Sequence, residues 1–310
     1  MMKDFQRPFI DYYNSHGIIP VSQDISDIEK HFQRRDALYR QCGIPSALIR
    51  GKTILEIGPG TGHNALFTNS LKPERYVLVD GARQSIQSLR KLFETSFPDI
   101  LNCEIVESAV ENFQSDEKFD FVFCEGAIPF QKEPSQFLKT ISKFVKPSGM
   151  LLITCADSVS YLGETLRRIM GFLLLKDFNK IDIKKKIKIL SPVFKPHLET
   201  LKGMSRPIDD WIYDNILQPF FGQPFSISQA VEAIKNEFDA YGSSPRMFVD
   251  WRWYKDIYGE NRRYNESCMD IFKQNIHNLL DYRFVFQPIP VLKGEKITAL
   301  CDRMFDDAIK

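Results

Sequence analysis

The sequence predicts an α/β protein built on an open sheet. Three observations carry that expectation. The apolar run Ile54-Leu55-Glu56-Ile57 enters a loop with glycine at every second position, Gly58-Pro59-Gly60-Thr61-Gly62, and that loop opens a helix. A second apolar run, Tyr76-Val77-Leu78-Val79, ends in the carboxylate of Asp80. Further short apolar runs follow at 103–107, 119–124 and 150–154, with helix and turn signals between them.

Residues 1–50 read as helical, best over Ile25–Tyr39, with Asp24 or Ser26 as the cap and the arginine pair Arg34-Arg35 inside. Tyr12 and Tyr13 are candidate lid aromatics or core anchors. The glycine loop lets backbone approach a ligand without an intervening Cβ, and the helix behind it turns free N–H groups and a positive dipole end to the same place. Its spacing is G-x-G-x-G, with His63 where a dinucleotide fingerprint has its third glycine. Glu56, two residues ahead of the first glycine, would repel a pyrophosphate but suits a cationic ligand. Flanked by Leu55 and Ile57, it also needs a partner of its own. Asp80, at the end of the second strand, can accept both hydroxyls of a ribose.

With these residues in order, the chain resembles the class I S-adenosylmethionine-dependent methyltransferases. The match continues through Cys103-Glu104-Ile105-Val106-Glu107-Ser108-Ala109, where Ser108 replaces the usual acid, and through Phe119–Cys124 followed by Glu125-Gly126. It ends in Val145-Lys146-Pro147-Ser148-Gly149 before the apolar strand Met150–Thr154. Arg35-Asp36-Ala37-Leu38-Tyr39-Arg40 and Gly43-Ile44-Pro45 are similar to bacterial members that act on small molecules or surface polysaccharides.

The resemblance implies a Rossmann-like sheet of seven strands, mostly parallel with the last antiparallel, and S-adenosylmethionine as cofactor. It implies an N-terminal helical lid (1–50), a cofactor core (51–156), a helical cap inserted after strand five (157–237) and a closing part (238–310). Strand six is expected between Phe238 and Tyr254, a helix over Asn265–Leu280, and strand seven over Arg283–Val291. The cofactor is expected on Glu56, Gly58, Pro59, Gly60, Gly62, Asn64, Asp80, Gly81, Ser108, Ala109, Glu125 and Gly126. Tyr12, Tyr13, Arg206, Trp211 and Trp251 are candidate acceptor contacts. His63, His197, Asp209 and Asp210 are the candidate bases, with none singled out.

The net charge of +1 argues against a dedicated polyanion binder. No Asp/Asn-Pro-Pro-aromatic run follows strand four and no Pro-Cys pair occurs, so the signatures of DNA methylation are missing. The six cysteines have no C-x-x-C spacing, which suits a reducing compartment and no metal. The charged start, Met1–Arg7, lacks the apolar core of a signal peptide. The longest apolar run, Ile169–Leu175, is too short to span a bilayer. Followed by Lys184, Lys185, Lys186 and Lys188, it reads as a buried helix turn beside a solvated charged face, or as a surface docked on anionic lipid. The expectation is a cytoplasmic enzyme that methylates O or N of a small molecule or glycan precursor, without nucleic acid or stable membrane insertion. The alternatives are an RNA or protein methyltransferase, or a cofactor-binding protein without transfer activity. The oligomeric state stays open.

Overall fold

A computed structural model describes residues 8–16, 22–96, 103–175, 180–201, 203–219, 222–281 and 283–310. The expectation for Met1–Arg7 lies outside these. Five strands, β1 (Thr53–Ile57), β2 (Arg75–Asp80), β3 (Cys103–Glu107), β4 (Phe119–Cys124) and β5 (Val145–Ile153), form one parallel sheet in the order β3-β2-β1-β4-β5. Alternate residues of each strand face opposite sides, so the apolar runs fill two cores at once.

Leu55, Ile57, Val77, Val79, Val122 and Cys124 pack on one side with Leu138, Ile141, Phe225 and Ala230. The last four come from or adjoin α5 (Pro134–Ser142) and α9 (Ile227–Ile234). Ile54, Tyr76, Leu78, Phe121 and Phe123 pack on the other side with Tyr39, Leu66, Leu89 and Phe93. These partners come from α2 (Ile28–Gln41), α3 (His63–Ser70) and α4 (Arg83–Ser96). The cap of α2 is Asp27, whose carboxylate accepts the Lys30 N–H, rather than Asp24 or Ser26. α1 (Pro8–His16) precedes it and lays Ile10 over the loop after β2. A Cβ at Gly81 would stand 2.3 Å from Ile10 Cδ1.

After β5 the chain builds a helical layer: α6 (Ser158–Leu174), α7 (Ile183–Leu198) and α8 (Ile208–Trp211), which continues as a π-helical turn over Ile212–Leu217. Asp157 caps α6 in a reciprocal box with Ser160, and Ser226 caps α9 in another with Gln229. Leu190, Phe194 and Leu198 of α7 close over Trp211, Ile212 and Ile216 to give this layer its own core. α10 (Tyr264–Asn275), with a short 3-10 turn Ile276–Leu279, covers the expected helix, and α11 (Val291–Ile309) packs on α6 and α10.

Two expected strands do not form, and the sheet has five strands among the described residues. No strand occurs between 235 and 253 or between 283 and 290. Pro245, Pro288 and Pro290 supply no N–H to a ladder, and Tyr241, Trp251 and Val285 turn outward to solvent. The residues that looked like alternating strand are aromatic loop. β5 is thereby the outer strand beyond β4.

Candidate functional site

A crevice of about 620 Å³ opens at the carboxyl ends of the strands, between the sheet and the helical layer. In open α/β sheets this is where ligands bind. Its floor is the glycine loop. Gly58, Gly60 and Gly62 have φ of 71°, 57° and 83°, left-handed values that non-glycine residues rarely adopt. A Cβ at Gly62 would come within 2.1 Å of Leu89 Cδ1, so this glycine is also fixed by the packing of α4 against the start of α3.

Asp80 ends β2 inside the crevice. Its carboxylate accepts the Gly60 N–H at 3.1 Å and the Ala82 N–H at 2.8 Å, tying the second strand to the loop of the first. Burial pushes its carboxyl up to about 6 against those two stabilising hydrogen bonds. Ser108 and Ala109 follow β3, with the Ser108 N–H held by the Asp80 carbonyl. Gly58, Pro59, Gly60, Asn64, Asp80, Gly81, Ser108, Ala109, Glu125 and Gly126 all line the crevice, as does Glu56. Gly62 stands behind the wall as the residue from which α3 starts.

Glu56 is 4% exposed and accepts the Tyr76 hydroxyl. Burial, and then the nearby charge of Glu125, push its carboxyl up to about 7. Glu125 itself is gripped through both oxygens by Arg35 of α2, Nη1 to Oε2 at 2.8 Å. Two carboxylates and one guanidinium therefore meet beneath the glycine loop. Arg35 shares one stripe of α2 with His31 and Tyr39, all buried. An arginine on a buried stripe requires a carboxylate, and that was the signal available in the sequence.

The roof comes from α1 and the helical layer. Tyr13 donates its hydroxyl to Asp214 Oδ1 at 2.7 Å, and Arg206 Nη2 donates to Oδ2 at 3.0 Å. The Gln218 amide, oriented with its nitrogen toward Asp214, donates to that carboxylate. Arg168 of α6 bonds the carbonyl oxygens of Asn215, at 2.7 Å, and of Gln218. Those carbonyls are at the end of the π-helical turn, whose wider winding aims Asp214 and Asn215 into the crevice. Tyr13, Arg206, Asp214, Asn215 and Gln218 thus form a polar chamber facing the glycine loop.

The other candidates fall elsewhere. Tyr12 is buried against Tyr213, ring centroids 5.5 Å apart, and is core. Trp211 is buried in the helical layer under Arg167. Trp251 is 87% exposed and remote from the crevice lining. His197 accepts from Arg167 on the outer surface. Asp209 accepts from Ser191, also on the outside, and Asp210 accepts from Ser22. His63 does line the crevice, but its Nδ1 accepts the Gln23 N–H at 3.0 Å. Burial, and then His31, lower its pKa, so the neutral ring carries its proton on Nε2 and has no acceptor left to offer. Asp214 is the carboxylate in the chamber that sequence reasoning did not single out. Its position depends on the π-helical turn, which hydrophobic periodicity does not reveal.

Residues 55–153 match a methyltransferase domain family. Among curated relatives, the ubiquinone biosynthesis O-methyltransferase of Dictyostelium discoideum is 29% identical over 38% of this chain and 40% of its own length. Protein arginine N-methyltransferase 6 of Danio rerio is 23% identical over 47% of this chain and 41% of its own length. The chain thus spans well under half the length of these relatives. Among solved structures, PKMT2 of Rickettsia typhi, crystallised with AdoHcy, aligns with a TM-score of 0.51 at 17% identity, over 79% of this chain and 50% of that one. That likeness is one of fold.

Proposed function

We propose that this chain, whose residues 55–153 match a methyltransferase domain family, is of the class I, S-adenosylmethionine-dependent kind and transfers a methyl group to an oxygen or nitrogen of a small molecule or glycan precursor held in the polar chamber. The carrying observation is that one crevice joins the glycine loop and Asp80 to Tyr13, Arg206, Asp214 and Asn215. The residues fit the cofactor. Asp80 is a buried carboxylate at the end of β2, aligned by two backbone N–H groups and able to accept ribose hydroxyls through its remaining lone pairs. Gly58 and Gly60 would clear the backbone for the amino-acid portion, the Glu56 carboxyl would face it from beneath, and Ser108 and Ala109 would flank the adenine. Bound there, S-adenosylmethionine supplies an electrophilic methyl group.

The chain's own work is to orient and to exclude water. Arg206, Tyr13 and Gln218 fix the Asp214 carboxylate, leaving a lone pair on Oδ2 for an acceptor O–H or N–H. Asp214 is placed to take the proton that the acceptor oxygen or nitrogen would give up on methylation. Ile10 on α1 closes the loop after β2 from above. Asp214→Asn keeps the size and much of the hydrogen bonding of the chamber but cannot take a proton. It should lower turnover at least about a hundredfold, the usual scale of general-base catalysis, with S-adenosylhomocysteine affinity unchanged by calorimetry. Asp80→Ala should weaken that affinity more than tenfold, on the order of the loss of one charge-assisted hydrogen bond. Binding of NAD in place of S-adenosylhomocysteine, or transfer of label to a protein or RNA in place of metabolites, would overturn the cofactor and the acceptor assignment respectively.

A further inference from the structure

The outer face of the helical layer combines an apolar stripe with unpaired lysines. On α6, Leu166, Met170, Leu173 and Leu174 recur at helical spacing and all are exposed, Leu173 at 76%. On α7, Ile189 and Val193 form a second exposed stripe one turn apart. The two helices meet in antiparallel sense, and both pack on the π-helical turn. Arg167 donates to His197 at one end, and at the other a Cβ on Gly171 would stand 3.9 Å from Leu190 Cδ1. α7 carries five lysines and no acid. Of these, Lys184, Lys185 and Lys188 are exposed and ion-pair with no described residue. The last turn and a half of α6, from Ile169 to Leu174, has no charged residue at all. Exposed apolar surface of this extent is a mark of an interaction site.

We infer that this α6–α7 face docks the protein on an anionic lipid bilayer surface. Charge decides the occupant. A second copy seated on this face would offer Lys184, Lys185 and Lys188 no free acid from either helix, since α7 has none and Glu164, the one acid of α6, is paired with Arg167. A leaflet carrying anionic headgroups complements the lysines, while its acyl boundary receives Met170, Leu173 and Val193. No helix among the described residues is long and apolar enough to cross a membrane, so the contact is peripheral. The inner faces of the same two helices hold the chamber. Arg168 of α6 bonds the end of the π-helical turn, and Leu190 and Phe194 of α7 pack on Ile212 and Ile216. Docking therefore brings the chamber to within about one helix diameter, roughly 10 Å, of the headgroups. An acceptor borne by lipid would reach it there, a consequence that rests on the reading of the chamber above.

Co-sedimentation with vesicles of phosphatidylcholine, with and without phosphatidylglycerol, tests the surface. The intact chain should bind the vesicles containing phosphatidylglycerol, and bind them less as salt is raised. Changing Lys184, Lys185 and Lys188 together to Ala should weaken partitioning roughly a hundredfold, about fivefold per lysine. Leu173→Glu with Met170→Glu should weaken it at least tenfold, and both variants should keep S-adenosylhomocysteine binding. Absence of vesicle binding at low salt, or binding that both variants retain, would overturn the proposal. So would a concentration-dependent dimer that Leu173→Glu dissolves, since that assigns the face to a second copy. A chain that binds vesicles but not S-adenosylhomocysteine keeps the docking surface and removes the methyltransferase reading alone.

Discussion

Glu56 makes the protein's stability fall as pH rises through neutrality, and Glu56→Gln should abolish that slope. The carboxyl is 4% exposed, and its pKa is raised from 4.5 to about 7, by burial first and by Glu125 second. The folded chain therefore binds this proton more tightly than the unfolded chain does. The resulting stability is fully present below about pH 4.5, declines as pH rises, and is lost above about 7. Carried through proton linkage, the raised pKa is worth about 3 kcal/mol. For 310 residues, an unfolding entropy of about 2.1 cal/mol/K per residue converts this to a Tm difference of about 5 °C. Asp80 contributes a similar slope, but at lower pH, because its carboxyl reaches only about 6. The diagnostic window is thus pH 6 to 7, in the absence of cofactor, where Glu56 loses its last ~1 kcal/mol, a Tm change of about 2 °C. Glutamine keeps an acceptor for the Tyr76 hydroxyl, so the variant removes the charge and little else. Scanning calorimetry at several pH values should show the wild type losing Tm across that window while Glu56→Gln holds level. Parallel profiles for the two proteins would refute the buried-carboxylate argument.

Arg35→Ala should destabilise the fold by roughly 3 kcal/mol, the cost of stranding a partner in a buried ion pair. Urea midpoints measure it, and adding Glu125→Gln to the variant should restore part of the loss. Trp251→Ala should change stability by no more than about 0.5 kcal/mol and leave turnover and cofactor affinity alone, because the side chain is 87% exposed. An effect on turnover would return Trp251 to the acceptor site.

The glycine-loop half of the crevice was legible in the sequence because its determinants are local. A strand, three glycines and a helix occupy consecutive positions, and an acid closing the next strand lies at a fixed remove. The chamber was not legible because its contacts are distant. Asp214 meets Tyr13 across 201 positions and Arg35 meets Glu125 across 90. No periodicity encodes such meetings. The π-helical turn over Ile212–Leu217 also shifts side chains off the ordinary helical spacing, so the residues facing the crevice were not those a regular helix would present. The missing sixth and seventh strands have a different cause. Trp251, Trp253 and Phe284–Phe286 have the composition of strand but point to solvent. β propensity describes a side chain that fits a half-buried pleated surface, and none is offered there.

The bond between Tyr13 and Asp214 also sets an order of assembly. As the chain emerges during synthesis, all five strands are available once residue 153 has appeared, and parallel pairing can begin. α1, made first, has no partner for its Tyr13 hydroxyl until residue 214 follows. Closing so long a loop is entropically slow relative to neighbouring contacts. The chamber is therefore completed after the glycine-loop floor beneath it. A nascent or nicked chain stopped short of that step retains the floor and lacks the roof.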